Sequence, residues 1–182
     1  CDEYHLPLYI DGARCGYGLG AAENDVTLAD LARLANVFYI GGTKVGALFG
    51  EAVVIPDPAI QKDFRYMIKR MGGMLAKGRL LGIQFEVLFQ DGLYEQLGRR
   101  TVALAQKLAA AFEAKGISML HKSPTNQQFP ILTQTQRDKL GEKYAFSFWQ
   151  AMDEDRAAVR FCTSWATREE DVDALVADIQ NL

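Results

Sequence analysis

The chain has 182 residues, about half of them hydrophobic, and a formal net charge of −3. This length suits one good-sized domain or two small ones, with enough apolar residues for a core. The charges are mixed and form no basic stripe, which argues against nucleic-acid binding, and no apolar run reaches the length of a membrane span. We expect no signal peptide, and three cysteines without a Cys-x-x-Cys spacing favour a reducing cytoplasm and no structural zinc.

Two short apolar runs in the first forty residues predict neighbouring parallel strands. The run at residues 6–10 ends at Asp11, and the run at residues 37–40 ends at a glycine pair. A helix predicted from Thr27, its N-cap, separates the two runs. Because parallel strands end at the same edge of a sheet, this strand–helix–strand unit brings Asp11 close to the glycines before Lys44. Ligands of open α/β sheets bind at that edge.

The other elements of the first half complete an α/β unit. The glycines at residues 12–20 predict a loop, and the apolar run at residues 47–55 predicts a third strand. Helices are predicted at residues 57–70 and 75–89, separated by a glycine pair. The Asp-Gly at residues 91–92 marks a break, and we place a domain boundary there, with residues 1–91 as the first domain.

The second half, residues 92–182, predicts a smaller α+β domain with an antiparallel sheet. Its clearest element is a helix at residues 94–115, with an apolar stripe at helical spacing. A capping box of Thr167 and Glu170 predicts the start of the last helix. The remaining elements are strands at residues 117–121, 129–132, 145–152 and 157–165 and helices at residues 135–144 and 167–182.

Lys44 and Asp11 are the first two residues that the pattern singles out for chemistry. Lys44 lies between two strand-like runs and among glycines, which suits either a surface turn or a desolvated lysine. A desolvated amine is a good nucleophile toward carbonyls and can form an imine with a cofactor aldehyde. Asp11 is either a turn residue or the carboxylate that keeps a ring nitrogen protonated, as an electron sink of the pyridoxal 5′-phosphate type requires.

Basic side chains supply further candidates. Arg14 follows Asp11 closely enough to face the same cleft, and Arg160 lies in a predicted strand, opposite the apolar face of Val159 and Phe161. A charge within a strand needs a partner, which is either a structural ion pair, an exposed sheet face or a substrate carboxylate. Neither histidine has, nearby in the sequence, the further residues that a metal site or a catalytic triad requires.

Several segments together resemble the threonine aldolase and β-eliminating lyase family, which are pyridoxal 5′-phosphate enzymes of the aspartate-aminotransferase fold (fold type I). The two most specific segments are L-Y-I-D-G-A-R at residues 8–14 and G-G-T-K at residues 41–44. The segments S-P-T-N-Q-Q-F-P at residues 123–130 and V-R-F-C-T-S-W at residues 159–165 resemble the C-terminal domain of the family. The fold expected is therefore α/β, with the C-terminal part of the parallel-sheet cofactor domain followed by the smaller α+β domain.

The resemblance implies a role for each candidate. Lys44 matches the lysine that binds the cofactor aldehyde, and Asp11 matches the aspartate that pairs with the pyridine nitrogen. Arg14 matches an arginine near the cofactor ring and the substrate carboxylate, and Arg160 matches the arginine that binds that carboxylate. Two further basic residues are expected near the phosphate of a partner subunit in a homodimer or homotetramer: Lys77 and Arg79.

The resemblance also implies a missing N-terminal part. In the family that part supplies phosphate contacts and the group that stacks on the cofactor ring. Because the chain starts at Cys1 and runs quickly into an apolar segment, we expect it to be the C-terminal part of a longer protein. The function expected is a lyase acting on an amino acid by Cα–Cβ cleavage or by β-elimination. The alternatives are an aminotransferase of the same fold and an inactive fragment.

Overall fold

The computed structural model describes residues 1–182 as two compact units. The first unit combines residues 1–19 and 24–97, and the second combines residues 20–23 and 98–182. The domain boundary expected after residue 91 stays a prediction. No helix is both long enough and apolar enough to span a bilayer.

A three-stranded sheet organises the first unit. Strand β1 is Tyr9–Ile10, β2 is Val37–Gly41 and β3 is Glu51–Val54, in the order β1-β2-β3. Strand β1 runs parallel to β2, as the strand–helix–strand pattern predicts, and β3 is antiparallel to β2. Both outer strands are shorter than the apolar runs that predict them. The central strand therefore carries the pairing of the sheet.

The helices of the first unit differ from the sequence expectation in three places, one of which is that the helix expected at residues 75–89 begins only at Arg79. The glycines at residues 12–20 were expected to form a loop, but they include a short helix, because Gly16 and Tyr17 are buried and packing outweighs helix propensity. The single helix expected at residues 57–70 is interrupted at Asp63, which has a left-handed backbone with φ of 60°. The helices are α1 (Cys15–Leu19), α2 (Leu28–Leu34), α3 (Pro58–Gln61), α4 (Phe64–Arg70) and α5 (Arg79–Phe89).

The second unit is built around one central strand. The elements from the long helix onward are α6 (Leu93–Ala114), β4 (Gln127–Gln128), β5 (Ile131–Thr133), α7 (Gln134–Gly141), β6 (Ser147–Ala151), β7 (Arg156–Cys162) and α8 (Glu169–Gln180). Strand β7 pairs antiparallel with β4, β5 and β6. This is the antiparallel sheet that the sequence predicts.

The core of the second unit lies between this sheet and the helices. The predicted stripe of α6 is buried against β7 and α8, with Phe112 and Ile179 fully enclosed. The strand expected at residues 117–121 reduces to a single bridge between Met119 and Pro130. The capping box predicted at Thr167 is wrong, because the Thr167 hydroxyl accepts a hydrogen bond from the Ser164 amide and α8 begins at Glu169.

Candidate functional site

Asp11 follows β1 directly, and one of its carboxylate oxygens accepts two hydrogen bonds. Its Oδ1 accepts hydrogen bonds from the Tyr39 hydroxyl and from the Ala13 amide, the latter at 3.0 Å. The Tyr39 hydrogen bond is the largest cause of a lowered pKa of Asp11, and the positive charges of Lys44 and Arg14 act in the same direction. Asp11 is therefore an exposed anion whose Oδ2 has no partner within the chain.

The glycines of the two motifs let the backbone segments at the ends of β1 and β2 approach each other closely. The Gly41 amide donates to the Gly12 carbonyl at 2.9 Å. A Cβ on Gly12 would lie 1.6 Å from the Tyr39 carbonyl oxygen, and a Cβ on Gly41 would lie 2.4 Å from that of Ala13. Because both neighbours are backbone atoms, no side-chain movement can make room. The segments D-G-A-R and G-G-T-K are thus joined backbone to backbone.

Lys44 lies on a short 3₁₀ helix, Thr43–Val45, immediately after β2. Val45 is fully buried and holds the turn, whereas Lys44 is exposed and its amine forms no ion pair or hydrogen bond within the chain. Of the two alternatives for Lys44, the structure therefore shows the surface turn, because Val45 and not Lys44 occupies the buried position. The Tyr17 hydroxyl donates to the Lys44 carbonyl, which ties this turn to α1.

Tyr94 is a supporting residue that sequence reasoning missed. Its buried hydroxyl donates to the Gly41 carbonyl at 2.9 Å and accepts from the Gly16 amide at 3.0 Å. Burial raises the pKa of the Tyr94 phenol, so it stays neutral. No local signal could have revealed this role, since the two partners lie 53 and 78 residues away in sequence.

Arg14 lines a cavity of about 370 Å³ in the first unit, together with Asp11 and Cys15. Its Nε is buried and has no hydrogen-bond partner. A buried donor without a partner is uncommon in folded proteins. Burial raises the pKa of the neighbouring Cys15 thiol to about 11, which keeps that side chain protonated. Arg14 is thus a cationic side chain at this cavity that forms no hydrogen bond or ion pair within the chain.

Arg160 belongs to the second unit and forms no ion pair. Val159 and Phe161 on either side of it are buried, as the alternation predicts. The Arg160 Nη1 donates to Gln127 Oε1 at 3.3 Å, its guanidinium carbon lies 5.3 Å from the centroid of the Trp149 ring, and its Nε is buried without a partner. A structural ion pair within the chain, one of the alternatives, is therefore absent.

The remaining candidates lie at the surface. Lys77 precedes α5 and Arg79 is its first residue, and both side chains are exposed. No group of histidine, cysteine, aspartate and glutamate side chains is arranged to hold a metal ion.

The donor set of the first unit fits a protonated pyridine ring that carries an aldehyde. Asp11 offers an ionised carboxylate with one unused oxygen, and Lys44 offers an exposed amine without an ion-pair partner. Both follow the carboxyl ends of paired parallel strands, where α/β proteins bind their ligands. The residues present therefore suit pyridoxal 5′-phosphate.

Comparisons with known proteins point the same way. No family model matches the chain. It is 30% identical to two proteins named low specificity L-threonine aldolase, one from a Pseudomonas species and one from Pseudomonas aeruginosa, and each match covers 99% of the chain and 51% of the relative. The chain thus spans about half the length of these curated relatives.

Solved structures agree with the sequence relatives. A Leishmania major threonine aldolase matches the whole chain with 42% identity and a TM-score of 0.96, and the match covers 53% of that structure. A Sphingomonas wittichii serine palmitoyltransferase matches in fold alone, with a TM-score of 0.67 at 12% identity. The chain is therefore similar to the threonine aldolases over about half of their length, and it has the fold of the fold type I enzymes.

Proposed function

We propose that the complete protein is a pyridoxal 5′-phosphate-dependent lyase that cleaves the Cα–Cβ bond of a β-hydroxy amino acid such as threonine, giving glycine and an aldehyde. The observation that carries the proposal is the pair formed by the ionised Asp11 and the exposed amine of Lys44, at the ends of adjacent parallel strands. The likeness to proteins named threonine aldolase, at 30% to 42% identity, supports the same reaction.

The cofactor, when bound, supplies the electron sink for the bond that breaks at Cα. Asp11 would hold the ring nitrogen of the bound cofactor and, as an anion, would keep that nitrogen protonated. Lys44 would hold the aldehyde of the bound cofactor through its amine. The Tyr17 hydrogen bond to the Lys44 carbonyl keeps the backbone of this turn in place.

The two arginines bind and orient the substrate in this proposal. Arg160 binds the substrate carboxylate, and Arg14 contributes from beside the cofactor ring. A carboxylate held in this way fixes the rotation about the bond from nitrogen to Cα. This orientation would favour cleavage of the Cα–Cβ bond over cleavage of another bond at Cα.

The wider setting follows from the same proposal. We propose a cytoplasmic enzyme that works as a homodimer or homotetramer and includes the N-terminal part expected from the resemblance. Lys77 and Arg79, both exposed, would then contact the cofactor phosphate of a partner subunit. An amino acid is the small-molecule substrate.

The direct test is release of acetaldehyde from L-threonine by the full-length protein with pyridoxal 5′-phosphate. We expect turnover in the wild type and a loss of at least about a hundredfold in Lys44→Ala and Asp11→Ala, because each removes a group that contacts the cofactor. The matched control is Lys62→Ala, which removes another exposed lysine of the same unit.

Other outcomes identify other reactions. Amino transfer to a keto acid, without release of glycine and an aldehyde, would show an aminotransferase. A keto acid and ammonia from a β-substituted amino acid would show β-elimination. No reaction with any of these substrates would favour an inactive protein and contradict the proposal.

A further inference from the structure

The surroundings of Arg160 show how its guanidinium is held. Strand β7 has neighbours on both sides at this point: Arg160 pairs with Ser147 of β6, and Cys162, two residues on, pairs with Gln127 of β4. Since side chains two residues apart share a face of a strand, Arg160 and Cys162 face the same way. The Gln127 side chain reaches Arg160 Nη1 from the β4 side.

Trp149 reaches the same guanidinium from the β6 side. The register of β6 against β7 shifts between Phe148 and Gln150, so Trp149 is the extra residue of a β-bulge. Bulges are frequent beside active sites, where they redirect a side chain. Here the redirected indole lies 5.3 Å from the guanidinium carbon, within the range of a cation–π interaction.

The Trp149 indole packs in turn against the ring of Phe129. The rings of Phe129 and Trp149 meet nearly edge to face, with centroids 5.0 Å apart, and Phe129 is buried. The His121 ring also packs against Phe129, at a centroid distance of 4.6 Å. Contact with this buried ring restricts the indole on the side that faces Phe129, which helps to keep Trp149 beside Arg160.

Two nitrogens of the Arg160 guanidinium form no hydrogen bond within the chain. Gln127 occupies Nη1, the indole covers one face, Nη2 has no hydrogen-bond partner within the chain, and Nε is buried and also unpaired. An arginine held at one nitrogen and one face, with the other nitrogens unpaired, is prepared for a planar anion.

We propose that Trp149 is a positioning residue that makes the enzyme selective for substrates with an α-carboxylate, because it holds Arg160 in the orientation that binds this group. This inference rests on the proposed function, in which Arg160 binds the substrate carboxylate. Trp149 does not touch the reacting bond. Its substitution therefore weakens binding of the carboxylate. A substrate that does bind is still held by Arg160 and oriented as in the wild type, so the chemical step stays intact.

The test measures acetaldehyde release from L-threonine by the full-length wild type and by Trp149→Leu, Trp149→Phe and Arg160→Ala. We expect Trp149→Leu to raise KM about three- to tenfold with kcat nearly unchanged, in keeping with the strength of a cation–π contact. Trp149→Phe keeps an aromatic face and should stay within about twofold of the wild type. Phe148→Leu is the matched control, since Phe148 is exposed in the same strand and makes no ring contact.

A second measurement separates carboxylate recognition from general damage. Competitive inhibition is compared for glycine and for methylamine, which lacks the carboxylate. We expect Trp149→Leu to raise the inhibition constant of glycine by the same factor as KM and to leave that of methylamine unchanged.

Each failure is recognisable. A Trp149→Leu enzyme that matches Phe148→Leu, or that weakens glycine and methylamine equally, overturns the role of Trp149 while Arg160→Ala still shows a raised KM. A wild type that releases no aldehyde overturns the proposed function, and the inference falls with it.

Discussion

At the scale of single residues, the charge of Asp11 depends on a neighbour in the next strand. The Tyr39 hydroxyl donates to Asp11 and is the main cause of its lowered pKa, and the same hydrogen bond raises the pKa of Tyr39 to about 12. A carboxylate that must keep a ring nitrogen protonated has to remain an anion itself. Tyr39 thus secures the charge on which the proposed chemistry depends.

Replacing this phenol should therefore move the titration of Asp11. In Tyr39→Phe we expect the pKa of Asp11 to rise toward its ordinary value of 3.8, because the largest stabilising contact of the anion is gone. In the wild type the contact favours folding at neutral pH, and this contribution is lost as the pH falls through the lowered pKa of Asp11.

Carbon-13 NMR of the Asp11 carboxyl group measures this pKa directly. Tyr9→Phe is the control, since the Tyr9 ring packs 6.2 Å from that of Tyr39 but donates nothing to Asp11. Equal Asp11 pKa values in the wild type and in Tyr39→Phe would refute the role of the phenol.

At the scale of elements, the feature that positions the proposed site is the close approach of the backbone at the ends of β1 and β2. Strands β1 and β2 were predictable from their apolar runs, and their parallel pairing placed Asp11 and Lys44 at one edge. The contacts that hold this edge were not predictable, because Tyr39, Tyr17 and Tyr94 each bind a partner that lies at least 27 residues away in the sequence. Helix α1 was missed for a related reason, since burial of Gly16 and Tyr17 outweighs the weak helix propensity of glycine.

Gly12→Ala should be strongly destabilising, because the new methyl group would meet the Tyr39 carbonyl at 1.6 Å. We expect a loss of about 2–3 kcal/mol in the free energy of unfolding, as for other substitutions that overfill a packed site. Gly18→Ala is the matched control, since its Cβ meets nothing within 4 Å and lies in α1. In that variant the free energy of unfolding should be unchanged or higher by up to about 1 kcal/mol.

Chemical denaturation of the purified protein gives both values. Equal stability of the two alanine variants would contradict the close approach of the backbone at the two strand ends.

Tyr94→Phe tests the brace between α1 and β2. Removing the hydroxyl leaves the Gly41 carbonyl and the Gly16 amide without their partner, and we expect a loss of about 1–3 kcal/mol in the free energy of unfolding. Tyr66→Phe, at an exposed tyrosine, should have no effect. A Tyr94→Phe protein as stable as Tyr66→Phe would contradict the brace.

The difference in the free energy of unfolding between the wild type and Tyr94→Phe should also depend on pH, because the Tyr94 phenol is buried. Because the pKa of Tyr94 is raised in the folded protein, its contribution to stability is fully present below the ordinary phenol pKa of 10. It is lost as the pH rises through the raised value. The difference between wild type and Tyr94→Phe should therefore shrink in alkaline urea titrations.

At the scale of the whole molecule, the chain carries the lysine, the aspartate and two arginines of the proposed site but spans about half the length of its relatives. The first unit also exposes many large apolar side chains, among them Leu48, Met71 and Ile83. Exposed apolar surface of this kind favours contact with further protein. The activity is accordingly proposed for the complete protein.

The family and fold could be predicted from the sequence because the motifs lie at strand ends, where local spacing specifies position. The sequence could not decide whether Lys44 is exposed or desolvated, since only the tertiary structure shows that Val45 takes the buried position of the turn. Likewise, the bulge that turns Trp149 toward Arg160 has no signature in the strand pattern.

The central claim, that Lys44 is the lysine that holds the cofactor, is tested most directly by chemical fixation. The full-length protein is incubated with pyridoxal 5′-phosphate and reduced with borohydride, and the modified lysine is located by peptide mass spectrometry. The account predicts one stoichiometric label on Lys44, which disappears in Lys44→Ala and persists in Lys62→Ala. A stoichiometric label on another lysine, or no label at all, would contradict it.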